Sequence, residues 1–189
     1  MKLERSIEIK SPLNGQLIGQ VEAMTKEQVN ETIRKAKEGL KEWKAKPLYE
    51  RVEYLYKVAD LLLEKESELT ELLIKEVGKD KKSAQTEVIR TADLIRFTAD
   101  TAKNMHSENR RADRFPGGNK GKIAIIDREP VGVVLAVSPF NYPVNLAASK
   151  IAPALVGGNT VIFKPATQGS YVVAYLQRFL LKQAYQKAC

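Results

Sequence analysis

The sequence predicts an α/β protein: a run of N-terminal helices, then the start of a doubly wound parallel sheet that these residues leave incomplete. Three observations predict it. Apolar residues recur at helical spacing in four stretches between about Thr25 and His106. Two unbroken apolar runs, VGVVLAV and TVIFK, follow. Such runs suit strands covered on both faces, as in a parallel sheet. Between them, VNLAASKIAPALV is long enough for a crossover helix, so the trio reads as a right-handed strand–helix–strand unit.

Each element follows from local chemistry. SIEIKSPLNGQLIGQVEA reads as two short strands around a Pro/Asn/Gly turn. Thr25 caps a first helix, with Gln28 completing a capping box. Val29, Ile33, Ala36, Leu40 and Trp43 then form one buried stripe, and Pro47 marks a break. A second helix carries Val52, Leu55, Tyr56, Ala59, Leu62 and Leu63. A third starts at Ser67 and stops at Gly78. A fourth runs from about Ser83 to His106, with Val88, Ala92, Ile95, Ala99 and Ala102 on one side. RFPGGNKGK is a loop. KIAIIDREP alternates enough for a half-buried strand. Pro143 then opens the crossover helix, Pro153 kinks it or starts its last turn, and GGN ends it.

The bulk properties bound the function. The chain has 189 residues, enough for one domain or one domain and part of a second. The hydrophobic share, 43%, supports a core, and no apolar run reaches the roughly 20 residues of a membrane helix. No secretory h-region opens the chain, and the single cysteine, Cys189, cannot form an internal disulfide; a cytoplasmic protein is expected. The net charge of +8 comes from lysines and arginines interleaved with glutamates, the pattern of solvated helix faces. That argues against nucleic acid and leaves small anionic ligands open.

The chemistry concentrates at two loops. Ligands in open α/β sheets bind beyond the carboxyl ends of the strands, where SPFNYP and KPATQGS fall. Asn141 is either a turn residue bonded to its own backbone or an uncharged donor aimed at a reacting oxygen. Lys164, at a strand end, is either a snorkelling surface group or, with Thr167, a cradle for a phosphate or ribose hydroxyl. No G-x-G-x-x-G is present, so a nucleotide needs another route. PGGNKGK has the wrong spacing for a phosphate loop. His106 lacks ligand partners at useful spacing, and no metal site is expected.

Residues 129–170, EPVGVVLAVSPFNYPVNLAASKIAPALVGGNTVIFKPATQGS, resemble the aldehyde dehydrogenase superfamily. The motifs are E-P-x-G-x-x-x-x-x-x-P-x-N-x-P, then K-I-A-P-A-L, then G-N-x-x-x-x-K-P, and the resemblance extends over about residues 5–170. NYP, KPATQGS and TEVIRTAD look most like the NADP-dependent, non-phosphorylating branch acting on glyceraldehyde 3-phosphate. Broader members more often have Trp where Phe140 stands.

The resemblance implies roles residue by residue. Asn141 matches the donor to the thiohemiacetal oxygen. Lys164 and Thr167 match residues holding the adenosine ribose or its 2′-phosphate, and Ser138 lines the cofactor cleft. Tyr142 matches a substrate-side tyrosine, and Arg90 an arginine that binds substrate phosphate. By spacing, Arg90 lies opposite the apolar stripe of its helix, where an arginine is ordinarily solvated. The family's cysteine nucleophile and glutamate base lie further along than KPATQGS, and Cys189 has no suitable context.

The expectation is the N-terminal part of a cofactor-binding domain, residues 1–189, with 116–130 as an oligomerisation arm and the catalytic domain absent. Its cofactor is NADP, with NAD the alternative. Its substrate is a small aldehyde, its assembly a homo-oligomer, and residues 1–189 are inactive alone. After Ser170 the text leaves the motif and reads as a truncation or shifted frame that still forms an amphipathic helix. Another aldehyde or semialdehyde substrate, and a non-catalytic nucleotide-binding fragment, stay open.

Overall fold

A computed structural model describes residues 6–111, 116–118 and 120–186, with side chains to 178. The chain opens with an antiparallel hairpin, β1 (Ser6–Lys10) and β2 (Leu17–Glu22). Its turn is closed at Gly15 (φ 72°), while Asn14 Oδ1 accepts from the Gln16 N–H at 3.0 Å. Four helices follow: α1 (Lys26–Ala45), α2 (Leu48–Glu64), α3 (Glu66–Val77) and α4 (Lys81–Lys103).

The capping box forms as expected. The Gln28 N–H donates to Thr25 Oγ1 at 3.3 Å, and the Thr25 N–H donates to Gln28 Oε1 at 2.7 Å. The expected buried stripe of α1 needs correction: no α1 residue is fully buried, and Val29 is exposed. This helix rests on a parallel strand pair, Val133–Val137 and Thr160–Lys164, which covers its inner face only in part. Trp43 anchors it, donating to the Leu155 carbonyl at 2.9 Å and meeting the Tyr54 ring edge-on. Helix α4 begins at Lys81 rather than near Ser83, because Asp80 caps it by accepting from the Ser83 N–H at 2.9 Å. It ends at Lys103, three residues before His106.

The core lies between α2, α3, α4 and the crossover helix. Leu55, Ala59, Leu62, Leu69, Leu73, Val88 and Ala92 are buried there. Small residues on α4 and on the crossover helix allow close approach.

A second hairpin pairs β3 (Glu108–Arg111) with β4 (Ile123–Ile126). Strand β3 lacks apolar alternation and was not foreseen. Residue 119, in the expected arm, and Cys189 lie outside the described residues. All four residues of β4 are exposed, Ile123 and Ile125 by about two thirds (66% and 68%). The expectation of a half-buried strand therefore fails: the hairpin packs no face on the core.

The parallel pair is as expected. β5 (Val133–Val137) and β6 (Thr160–Lys164) run in register from Val133↔Thr160 to Val137↔Lys164, joined by α5 (Pro143–Val156). Burial on both faces does not hold for β5, since Leu135 and Val137 are 64% and 50% exposed. Ala136, on the opposite face of β5, is buried, and β6 is partly buried from Thr160 to Phe163. Asn159 staples the strand starts, accepting from the Gly132 N–H at 2.9 Å and donating to the Ala154 carbonyl at 3.0 Å. Arg51 on α2 donates to the Val156 carbonyl at 3.0 Å, holding the carboxyl end of α5. A last helix, α6 (Ser170–Gln186), follows β6.

Candidate active and cofactor site

Two loops meet at the carboxyl ends of β5 and β6. The ladder continues one step past the strands, with the Ser138 N–H donating to the Lys164 carbonyl at 3.4 Å. Gly169, after β6, packs on Pro143, after β5. A Cβ on Gly169 would stand 2.6 Å from Pro143 Cβ, and its φ of +89° also disfavours any side chain. The parallel register and this contact bring SPFNYP and KPATQGS to one rim.

Each expected residue has a definite place. Ser138 is 4% exposed, and its Oγ has no hydrogen-bond partner among the described residues. A buried hydroxyl left unpaired is costly; at a strand end it fits a ligand atom. Lys164 is exposed, and among the described residues its Nζ donates only to the adjacent Pro165 carbonyl, at 3.4 Å. Thr167 is exposed, and its carbonyl accepts from the Ser170 N–H (3.3 Å) and Oγ (2.6 Å), which shapes the entry to α6. Asn141 is exposed, and its amide bonds to no described residue. The turn-residue reading required a bond to its own backbone, and none forms.

Arg90 and Tyr142 line one cavity of about 410 Å³, together with Lys82, Ser83, Thr86 and Asn145. Arg90 sits on the exposed face of α4, as its spacing requires, and that face is a wall of the cavity. No carboxylate pairs with Arg90 or Lys82 among the described residues. The structure thus joins Arg90 to Tyr142, and Ser138 to Lys164.

Sequence reasoning missed two buried glutamates. Glu87 on α4 accepts at Oε1 from the Val144 N–H (2.9 Å) and the Asn145 N–H (3.2 Å), capping α5, while Oε2 pairs with Lys79. Glu76 on α3 accepts from the Tyr171 N–H at Oε1 and the Val172 N–H at Oε2, both at 2.8 Å, capping α6. Burial raises the Glu76 carboxyl above its usual range, against the lowering effect of the donated backbone bonds. The signal was present: Glu76 continues the Leu69–Leu73 stripe, and Glu87 adjoins Val88.

These caps decide how an anion can be held. A helix amino end is ordinarily an anion site, but here protein carboxylates already fill both ends at the rim. Phosphate groups must therefore be met by side chains, and the exposed cations Lys164, Arg90 and Lys82 are of the right kind. With the orphaned Ser138 hydroxyl, the rim residues fit a phosphorylated nucleotide.

Residues 1–185 match the aldehyde dehydrogenase family, and the chain belongs to it. The match takes in the segment after Ser170 as well as the motif-bearing residues. An NADP-dependent glyceraldehyde-3-phosphate dehydrogenase of Streptococcus equinus is 45% identical over 98% of this chain and 38% of its own length. The crystal structure of the enzyme of that name from Bacillus halodurans C-125, complexed with NADP, is 52% identical, with a TM-score of 0.91. The two cover 95% of this chain and 38% of that one. A 3-sulfolactaldehyde dehydrogenase of Priestia aryabhattai is 39% identical over 85% of this chain and 33% of its own length. The chain thus spans less than two fifths of the length of these relatives.

Proposed function

We propose that this chain is the N-terminal part of the cofactor-binding domain of an NADP-dependent dehydrogenase that oxidises glyceraldehyde 3-phosphate to 3-phosphoglycerate. The observation that carries the reading is the cavity where Arg90 and Tyr142 meet beside the Asn141 turn. Arg90, with its permanent charge and planar fork of donors, suits the substrate phosphate. Tyr142 forms the facing wall. Asn141, uncommitted to its own backbone, donates to the oxygen that gains charge when the carbonyl is attacked. Ser138, Lys164 and Thr167 hold NADP, with Lys164 and Thr167 toward the ribose 2′-phosphate; NAD is the alternative. The cofactor accepts the hydride. The attacking cysteine and the glutamate base are not supplied by residues 1–189, so a polypeptide limited to them forms no NADPH.

The arm at 116–130 and the exposed isoleucines of β4 support a homo-oligomer, and a cytoplasmic site accords with a single cysteine. Among the described residues no helix is long and apolar enough to cross a membrane.

The relative named for sulfolactaldehyde favours a second reading, in which the same cation meets a sulfonate. Steady-state NADPH formation by the longer enzyme of which residues 1–189 are proposed to be a part, with phosphorylated, sulfonated and neutral three-carbon aldehydes, separates the two. Arg90→Ala should lower kcat/KM for the phosphorylated aldehyde about 10- to 100-fold, the loss of one charge-assisted contact, with little change for the neutral one. Equal loss on both would refute the phosphate role.

A further inference from the structure

We propose that the buried Lys79–Glu87 ion pair is a positioning device that sets Asn141 and Tyr142 in their working arrangement. The proposal rests on reading those two residues as the oxygen donor and the substrate-side wall. Helix α5 has Tyr142 at its N-cap position (φ −138°, ψ 68°), and that side chain makes no capping bond. A Ser, Thr, Asp or Asn there would satisfy the helix locally. Tyrosine instead lines the cavity, and Glu87, 57 residues earlier than Val144, supplies the missing acceptor.

The other half of the pair completes the arrangement. Glu87 Oε2 binds Lys79 Nζ, whose ammonium lies 3.5 Å from the centre of the Tyr142 ring. Thr91 Oγ donates to the Glu87 carbonyl at 2.7 Å and accepts from Asn145 Nδ2 at 3.3 Å, fixing the first turn of α5 to α4 a second time. One carboxylate thus holds both the backbone just beyond Asn141 and the cation that fixes the Tyr142 ring. The Glu87 side chain is wholly buried and that of Lys79 nearly so (0% and 10% exposed). A buried ion pair is a poor source of stability compared with apolar residues of similar size. Geometry, not stability, is what this pair is suited to provide.

The test uses the longer enzyme of which residues 1–189 are proposed to be a part, with kinetics and amide hydrogen exchange on its wild-type form and on each variant. Glu87→Ala should lower kcat on the order of 10- to 100-fold, the range for a misplaced catalytic group, with KM for NADP unchanged. In the same variant the Val144 and Asn145 amides should lose protection while the α5 interior around Ala148 and Ala152 keeps it. Glu87→Gln, whose carbonyl can still accept both N–H groups, should restore most of kcat and that protection. Lys79→Met should raise KM for the aldehyde several-fold with kcat retained. Unchanged exchange at Val144 and Asn145 in Glu87→Ala would overturn the proposal, as would uniform loss of protection through the core in Glu87→Gln. If Glu87→Ala does not fold, Glu87→Gln and Lys79→Met decide by the same criteria. A wild-type protein that oxidises no aldehyde would remove the proposed function, and the exchange pattern would still judge the positioning role.

Discussion

Ser138, proposed to hold the cofactor, shows what a buried and unpaired hydroxyl costs. Its hydroxyl is buried at the end of β5 with no partner, while its own N–H is used by the ladder. A buried polar group left unsatisfied costs about 1–3 kcal/mol. Ser138→Ala should therefore raise the melting temperature of the ligand-free protein and at the same time weaken NADP binding. Thermal melts with and without NADP give both signs, and a variant destabilised in both states would show that the hydroxyl had a partner after all. Asn141 and Lys164 stood out in the sequence because motif and strand-end position coincide, whereas Arg90, mid-way along α4, was singled out by resemblance alone. The burial of Glu87 had a signal in its neighbour Val88, but its bonds to Lys79 and to the first amides of α5 had none, since only packing brings those groups together.

At the scale of elements, caps and turns were the most legible features. Thr25 with Gln28, the stop at Gly78 and Pro143 at the start of α5 behave as local chemistry dictates. Burial was less legible. An unbroken apolar run predicts two covered faces, yet half of β5 stays bare, because periodicity cannot say how many neighbours a sheet has. The caps of α5 and α6 are the other surprise: each is a glutamate sent from a distant helix. For Glu76 the consequence is a pH dependence. Its carboxyl titrates in the folded state above the 4.5 of the free group, so the native state binds its proton more tightly than the unfolded chain does. The contribution of this group to stability is full below pH 4.5 and is lost as pH rises through the native value. Glu76→Gln cannot ionise, so the melting temperature of wild type relative to the variant should fall across that window. A difference that stayed flat from pH 4 to 7 would contradict the assignment of burial as the dominant cause.

Across the whole molecule, the helical core and the β3–β4 hairpin contrast. Ile123 and Ile125 lie two apart on a strand whose residues are all exposed, beside a free edge among the described residues. An apolar edge strand of this sort is open to pairing with another chain. Ile125→Lys should reduce self-association, as read by sedimentation velocity, since a charge on the edge strand opposes its pairing. Unchanged sedimentation would place any assembly on another surface. The expectation of an arm at 116–130 rested on resemblance alone; what the structure adds is that β4, within that stretch, is exposed along its length.

The filled ends of α5 and α6 also bear on how selectivity could change over time. Main-chain amides at a helix tip impose one geometry, and no single substitution replaces them. Under the proposed function the recognition of charge is left to solvent-facing ammonium and guanidinium tips. Their grip should slacken as dissolved electrolyte shortens the reach of each charge, and a single codon could retune the site from one acidic metabolite to another without loosening either helix.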